Sequence, residues 1–98
     1  MKFRIVSDDL QRIYIDPSYD GEFGRPVARA FRKLVQIIVG AIDERDFYAM
    51  RSLRFEKLKG ERSHQRSMRL NDQWRLILEV EKSEPKNVIV ILSIEDYH

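Results

Sequence analysis

The sequence predicts an α+β fold in which N-terminal helices pack on one face of a small, mainly antiparallel β-sheet. Two patterns support this prediction. Apolar residues recur every three or four positions through residues 26–42, which is the period of a helix. From residue 67 onward apolar and polar residues alternate, which is the period of a β-strand. A chain of 98 residues leaves little room for a second core, so we expect one domain over residues 1–98.

The first half of the chain contains the predicted helices. Residues 2–6 suit a strand, and residues 8–15 suit either a short helix or an extension of that strand. Residues 16–26 concentrate Pro, Gly, Ser and Asp, which predicts a loop. Pro26 suits the first position of the next helix, and a shorter helix is predicted through residues 43–53. The buried stripe of the first of these two helices is expected to contain Val27, Phe31, Leu34, Val35, Ile38 and Ile42.

Three strands are predicted in the second half, over residues 67–70, 74–81 and 88–94. Turn-forming residues separate them, at Asn71-Asp72 and at residues 82–86. The last strand is apolar at nearly every position, as expected of a strand in the interior of a sheet.

The alternation assigns side chains to the two faces of the sheet. The residues expected to face the helices are Met68, Leu70, Trp74, Leu76 and Leu78. Trp74 is therefore predicted to be a core residue rather than a platform for a nucleobase. Arg69 and Arg75 then project from the uncovered face. Three basic residues precede the sheet and are expected to reach that same side: Arg54, Lys57 and Lys59.

Basic residues are concentrated in the middle of the chain. Residues 51–75 carry a net charge of +5, although the whole chain carries only +2. Grouped Arg and Lys commonly contact phosphates, so the cluster is compatible with a polyanionic ligand. A solvated charged face without a ligand is equally compatible. Arg69 in particular fits an exposed strand residue paired with Glu79 or Glu81.

Several kinds of site are excluded by composition. The chain contains no cysteine, which excludes disulfides and thiolate metal sites. His64 and His98 lack the spacing of a metal-binding pair, and no Gly-rich phosphate loop is present, so we expect neither metal nor cofactor. Arg4 stands where the apolar core of a signal peptide would begin, and no apolar run approaches the roughly 18 residues of a membrane span. A cytoplasmic protein without membrane contact is expected.

The remaining polar residues suit cleavage of RNA without a metal. The ribose 2′-hydroxyl can attack its neighbouring phosphate if one group removes its proton. A cation must also stabilise the phosphorane, and an acid must protonate the departing 5′-oxygen. Lys, Arg, His and Tyr side chains cover these tasks together.

Three motifs in the second half of the chain point to a known family. They are Leu58-Lys-Gly-Glu-Arg62, Ser67-Met-Arg-Leu-Asn-Asp-Gln-Trp-Arg75 and Ile94-Glu-Asp-Tyr-His98. In this order, over residues 55–98, they resemble the HigB branch of the RelE/ParE superfamily, the toxins of type II toxin–antitoxin systems. The resemblance implies a RelE-like fold. It also implies a ribosome-dependent mRNA endoribonuclease, or mRNA interferase, that inhibits translation and growth.

The resemblance further implies a set of site residues. The catalytic set falls on Lys59, Arg75, Asp96, Tyr97 and His98. Lys59 would neutralise a phosphate or remove a proton, Arg75 would stabilise the transition state, and Asp96 would orient its partners. Tyr97 would stack on or orient a base, and His98 would shuttle a proton. The residues expected to contact RNA are Arg54, Lys57, Arg62, Arg66 and Arg69.

The implied partners are mRNA and ribosomal RNA on the ribosome, and a cognate helix-turn-helix antitoxin resembling HigA. Operator DNA would be contacted only through that antitoxin. Two positions depart from the family pattern: Glu56 stands where some members have a histidine, and His64 stands where a glycine is common. A non-catalytic toxin of the ParE branch, which blocks DNA gyrase, and a simple RNA- or DNA-binding module are the alternative interpretations.

Overall fold

The computed structural model describes residues 1–97, so His98 and its predicted role lie outside the described residues. The strands are β1 (Lys2–Ile5), β2 (Glu56–Lys57), β3 (Arg66–Arg69), β4 (Trp74–Glu81) and β5 (Val88–Asp96). The α-helices within this part of the chain are α1 (Asp8–Ile15), α2 (Arg25–Gly40) and α3 (Arg45–Ala49). Single 3-10 turns cover Gly21–Phe23, Arg51–Leu53 and Gly60–Arg62.

The strands form one sheet in the order β1-β5-β4-β3-β2. Strand β1 pairs in parallel with β5, and every other neighbouring pair is antiparallel. Strand β5 therefore lies in the interior of the sheet, as its apolar composition predicts. The expected α+β fold with a mainly antiparallel sheet is confirmed.

Residues 8–15 are helical, which decides between the two possibilities that the sequence leaves open. The side chain of Ser7 accepts a hydrogen bond from the backbone N–H of Leu10 and caps α1. Two acidic residues in the first turn complement the positive end of the helix dipole. Leu10 and Ile13 bury the inner face of the helix.

Helix α2 begins at Arg25 and ends at Gly40, so the predicted stripe is wrong at its last member. Ile42 lies beyond the helix and is 65% exposed. Glycine has a low helix propensity, and the N-terminal ammonium of Met1 donates hydrogen bonds to the carbonyls of Ile38, Val39 and Ala41 at this end. The remaining predicted stripe residues are buried: Val27, Phe31, Leu34, Val35 and Ile38.

The second predicted helix is shorter than residues 43–53 suggest. Helix α3 covers five residues, and the 3-10 turn Arg51–Leu53 follows it. Phe47 and Leu53 bury their side chains in the core.

The sheet has the two faces that the alternation predicts. Met68, Leu76 and Leu78 belong to the core, and Trp74 packs against it with its ring edge-to-face with Phe23, 5.3 Å between centroids. The core assignment of Trp74 is therefore confirmed. The opposite face is less bare than expected, because Arg75 on that face is only 6% exposed.

Candidate functional site

Two rungs of the sheet build a polar site on the face opposite the helices. Cross-strand partners point to the same face of a sheet. In one rung Arg75 of β4 lies between Arg69 of β3 and Glu95 of β5. In the next rung the partners are Glu56, Ser67, Ile77 and Ser93. Four strands thus place basic, acidic and hydroxyl side chains next to one another.

Arg75 is the buried centre of this site. Its Nη1 donates hydrogen bonds to Ser67 Oγ at 3.0 Å and to the carbonyl of Arg54 at 3.4 Å. The carboxylate of Glu56 lies 3.9 Å from the same nitrogen. Within residues 1–97 these contacts anchor the guanidinium through Nη1, and neither Nε nor Nη2 donates a hydrogen bond there, so both can reach a ligand.

The backbone conformation of Arg54 helps to hold Arg75 in place. It adopts a left-handed backbone conformation, with φ at +47°, which a residue with a side chain rarely does. This conformation ends the 3-10 turn Arg51–Leu53 and accompanies the carbonyl that accepts the Arg75 hydrogen bond. A backbone held in this way at the site contributes to positioning the guanidinium.

Tyr97 covers the guanidinium of Arg75. The Arg75 Cζ atom lies over the ring, 4.1 Å from its centroid, which is a cation–π contact. The backbone N–H of Tyr97 donates to the carbonyl of Gln73 at 2.7 Å. The side chain of Gln73 also donates to Asp96 at 3.2 Å. Gln73 therefore ties the end of β5 to the β3–β4 turn, and joins two of the motifs noticed in the sequence.

Asn71 gives that turn its shape. Its side-chain oxygen accepts hydrogen bonds from the backbone N–H groups of Gln73 and Trp74, each at 2.8 Å. An Asx side chain commonly organises a turn in this way. The three motif residues thus have different roles: Asn71 stabilises the turn, Gln73 binds the end of the neighbouring strand, and the side chain of Arg75 lies in the site.

Two cavities open beside the Arg75–Tyr97 pair, and both residues line both cavities. The first, here named the cationic cavity, has a volume of about 120 Å³ and is lined by Arg54, Arg69, Asn71, Asp72, Arg75 and Tyr97. The second, the carboxylate cavity, has a volume of about 180 Å³ and is lined by Glu56, Leu58, Arg62, Ser67, Arg75, Ile77, Glu95, Asp96 and Tyr97. A phosphate suits the first cavity better, because three carboxylates face the second.

Arg62 and Glu95 form an ion pair at the edge of the carboxylate cavity. Two guanidinium nitrogens of Arg62 contact the two carboxylate oxygens at 2.9 and 2.8 Å, and its Nε donates to Gln65 at 2.8 Å. The hydrogen bonds from Arg62 lower the pKa of the Glu95 carboxyl, and Ser93 adds to this effect. Glu95 also raises the pKa of Arg62. The pair is therefore ionised at neutral pH, with the positive charge of Arg62 locally balanced.

The structure brings part of the predicted RNA-contacting set to this face. Arg54, Arg62 and Arg69 line the two cavities. Arg69 makes its ion pair with Asp72 of its own turn, not with Glu79 or Glu81.

Lys57 and Arg66 point to the other face of the sheet. They are cross-strand partners, and Arg66 precedes buried Met68 by two positions in β3. Arg66 lines a separate cavity beside Tyr48. The expectation that Lys57 reaches the same side as Arg75 is therefore wrong.

Lys59 and Asp96 lie at the edges of the site. Lys59 is exposed at the start of the 3-10 turn Gly60–Arg62 and lines neither of the two cavities. Asp96 lines the carboxylate cavity and accepts the hydrogen bond from Gln73.

Two residues of the site were missed as functional residues in the sequence. Ser67 is 1% exposed and holds Arg75, but a serine at a polar position of an alternating strand gives no sequence signal. Glu56 was noticed only as a departure from a family histidine. The family position three residues before Lys59 is its signal in the sequence, and the pairing of β2 with β3 is what places it beside Ser67 and Arg75 in the structure.

The geometry also limits other kinds of site within residues 1–97. No group of three or more acidic or histidine side chains in this range is arranged to hold a metal ion. The longest of its helices, α2, has 16 residues, and none of them meets the length and apolarity required to traverse a bilayer.

Comparison with known proteins supports the resemblance seen in the motifs. The chain matches the family described as "RelE-like toxin of type II toxin-antitoxin system HigB" over residues 3–98. No match is found among curated proteins. Among solved structures, the "YoeB/ParE toxin from Agrobacterium tumefaciens" is similar, with a TM-score of 0.61, 17% identity, and coverage of 100% of both chains. This likeness concerns the fold, which is RelE-like as expected. The family match extends over nearly every residue, and a toxin of a type II system has an antitoxin partner. The chain therefore belongs to the HigB-like family of RelE-like toxins of type II toxin–antitoxin systems.

Proposed function

We propose that this toxin is an endoribonuclease that cuts mRNA on the translating ribosome by attack of a ribose 2′-hydroxyl on the adjacent phosphate, without a metal ion. One observation carries the proposal. A buried guanidinium, Arg75, lies 3.9 Å from the Glu56 carboxylate and under the ring of Tyr97. The cleft thus combines a cation and a proton acceptor, two of the three groups that this reaction requires, with an aromatic surface on which a base can stack.

Arg75 stabilises the transition state in this proposal. Its anchored edge is bonded to Ser67 and to the Arg54 carbonyl, so the free edge meets the scissile phosphate in one orientation. Bidentate contacts between guanidinium and phosphate oxygens are strong and directional. The negative charge that develops on the phosphorane therefore meets a preorganised cation.

Glu56 takes the proton of the 2′-hydroxyl. The 2′-oxygen then forms a bond to phosphorus, the bond from phosphorus to the 5′-oxygen breaks, and that oxygen leaves with a proton from an acid. The products are a 2′,3′-cyclic phosphate and a 5′-hydroxyl. By resemblance to the family, His98 supplies the acid, Lys59 adds positive charge near the phosphate, and Asp96 orients its neighbours.

Tyr97 and the surrounding arginines hold the RNA. The exposed part of the Tyr97 ring offers a stacking surface for a base. Arg54 and Arg69 in the cationic cavity contact the backbone of the cut strand. Lys57 and Arg66, on the other face, fit contacts with ribosomal RNA on a second side of the toxin.

Primer extension on programmed ribosomes tests the proposal. Wild-type protein is expected to produce discrete cuts and a 5′-hydroxyl end on the downstream fragment. Arg75→Ala and Glu56→Gln are expected to slow single-turnover cutting by about a hundredfold or more. Glu79→Gln is the matched control for Glu56→Gln, because Glu79 lines neither cavity and loses the same charge.

Two outcomes contradict the proposal. Full activity of Glu56→Gln would show that Glu56 is not the proton acceptor. The base would then be the lysine or the histidine of the family pattern, and Lys59→Ala and His98→Ala identify which. Intact mRNA together with inhibited DNA supercoiling replaces the proposal with the gyrase-blocking alternative.

We further propose that the cognate antitoxin is a helix-turn-helix protein that resembles HigA and bridges the toxin to operator DNA, and that the toxin acts in the cytoplasm. The type II family supports the antitoxin itself. Co-purification with the product of the adjacent reading frame, followed by an operator-binding assay with and without toxin, tests the proposed antitoxin and its link to operator DNA, and cell fractionation tests the location.

A further inference from the structure

The two cavities beside the Arg75–Tyr97 pair differ in charge, and this difference gives the bound strand a direction. The cationic cavity contains three arginines and a single acidic residue, Asp72. The carboxylate cavity contains Glu56, Glu95 and Asp96. A phosphate placed in the carboxylate cavity would be repelled by the charges of these carboxylates, whereas a neutral base would not be repelled.

The carboxylate cavity also has an apolar floor and an aromatic wall. Leu58 and Ile77 line it, and the ring of Tyr97 borders it. Flat bases bind such surfaces by stacking, and they form hydrogen bonds along their edges when they are unstacked from the strand. A nucleobase therefore fits the polarity of this cavity better than a phosphate does.

Apart from Arg75, whose remaining N–H groups are assigned to the phosphate, the polar groups that this cavity offers a base are mainly hydrogen-bond acceptors. Arg62 uses three of its five N–H groups on Gln65 and Glu95, and Ser67 accepts from Arg75. An ionised carboxylate only accepts hydrogen bonds, and its two oxygens offer about four lone-pair sites, so Glu95 retains capacity for one more donor beyond Arg62 and Ser93. The partner that satisfies such a wall is a base with an exocyclic amino group, since the single N3–H of uracil is flanked by two carbonyl oxygens that would face the carboxylates.

We infer that the carboxylate cavity binds the nucleobase on the 5′ side of the cut and selects bases that carry an amino group: adenine, cytosine or guanine over uracil. This inference rests on the proposed function and names the substrate of the same site. It places the base on the 5′ side because Glu56, which takes the proton of that nucleotide's 2′-hydroxyl, lines the same cavity. The 3′ side of the strand then runs into the cationic cavity.

The test changes the RNA, which avoids any effect on protein folding. Ribosomes are programmed with mRNAs that differ only at the nucleotide 5′ to the mapped cut, and single-turnover rates are compared for the four bases. The decisive pair is adenosine and purine riboside, which differ only by the amino group. Loss of one well-placed base contact is expected to slow cutting by about tenfold.

A protein variant links the selectivity to the cavity wall. Glu95→Gln exchanges one acceptor oxygen for an N–H donor, so the difference between adenosine and purine riboside is expected to shrink. Glu79→Gln removes the same charge outside the cavity and is expected to keep the wild-type preference. A preference that shrinks equally in both variants would make it an effect of net charge and would overturn the inference.

The outcomes separate this inference from the function on which it rests. Equal cutting at adenosine and purine riboside, with normal product ends, overturns base selection and leaves the nuclease proposal in place. Faster cutting at uridine reverses the expected order and overturns it too. Absence of any cutting with all four bases overturns the nuclease proposal, and the inference falls with it.

Discussion

The guanidinium of Arg75 lies under the ring of Tyr97, with 4.1 Å between Cζ and the ring centroid. This contact joins the start of β4 to the residue that follows the end of β5. The Tyr97 ring covers one face of the Arg75 guanidinium, and the side chain as a whole is only 6% exposed. A ligand is therefore expected to approach along the edge of the guanidinium. The cation–π contact in this sheltered place strengthens the orientation that Ser67 and Arg54 impose.

Substitution of Tyr97 separates the ring from its hydroxyl. Tyr97→Phe keeps the ring over Arg75 and is expected to retain cutting within about threefold, since cation–π contacts do not require the hydroxyl. Tyr97→Ala uncovers the guanidinium and is expected to slow single-turnover cutting by at least about tenfold. Equal losses of cutting rate in Tyr97→Phe and Tyr97→Ala would mean that cutting depends on the hydroxyl rather than on the ring.

Arg75→Lys tests whether charge alone is sufficient. Lysine keeps the positive charge but lacks the planar donors that meet Ser67 and a phosphate together. We expect cutting to fall about a hundredfold, measured against Arg4→Lys, whose ion pair with Glu81 lies outside both cavities. Near-normal activity of Arg75→Lys would show that the fork geometry is dispensable.

The sequence predicts the parts of this site that strand alternation and motif order determine. Alternation places Arg69 and Arg75 on the face opposite Met68 and Leu76, and the structure agrees. The closing Asp96-Tyr97 comes next to the Gln73-Trp74 turn through an interior strand that the apolar run predicts.

The remaining parts depend on pairings that alternation does not specify. Strand β2 has two residues, too few to show a period, so the sequence could not indicate that Glu56 faces Arg75 while Lys57 faces away. The burial of Arg75 also escapes prediction, because Tyr97 and the Arg54 carbonyl come from distant segments. Ile42 fits the helical stripe, but the helix ends before it.

Ser67→Ala removes the hydroxyl that accepts from Arg75. The buried, charged guanidinium of Arg75 loses one acceptor, which is expected to lower the free energy of unfolding by about 1–2 kcal/mol. Cutting is expected to slow by about tenfold while the half-saturating toxin concentration changes little, because the guanidinium still binds phosphate but is less well oriented.

Ser7→Ala is the control for lost stability. It removes the cap of α1, far from the site in the chain, and is expected to cost about 1 kcal/mol. Its cutting rate should stay at the wild-type level below the unfolding transition. If Ser7→Ala slows cutting as much as Ser67→Ala does, the effect of Ser67 is one of stability and not of orientation.

Glu95 makes the stability of the toxin depend on pH in acid. The hydrogen bonds from Arg62 lower the pKa of this carboxyl below its ordinary value of 4.5. A carboxyl whose pKa is lower in the folded than in the unfolded chain contributes stability that is fully present above pH 4.5 and is lost as the pH falls through the lowered pKa. The pair is 46% and 40% exposed, so screening by solvent limits its contribution to less than about 1 kcal/mol.

Urea unfolding between pH 3 and 7 measures this contribution. Glu95→Gln is expected to be slightly less stable than wild type at pH 7, and the difference should narrow as the pH falls through the lowered pKa of Glu95, because the wild-type carboxylate becomes protonated there. Arg62→Gln removes the partner, so adding Glu95→Gln to it should change stability little at any pH. If Glu95→Gln has the same effect with and without Arg62, the lowered pKa has another origin and the ion pair does not stabilise the fold.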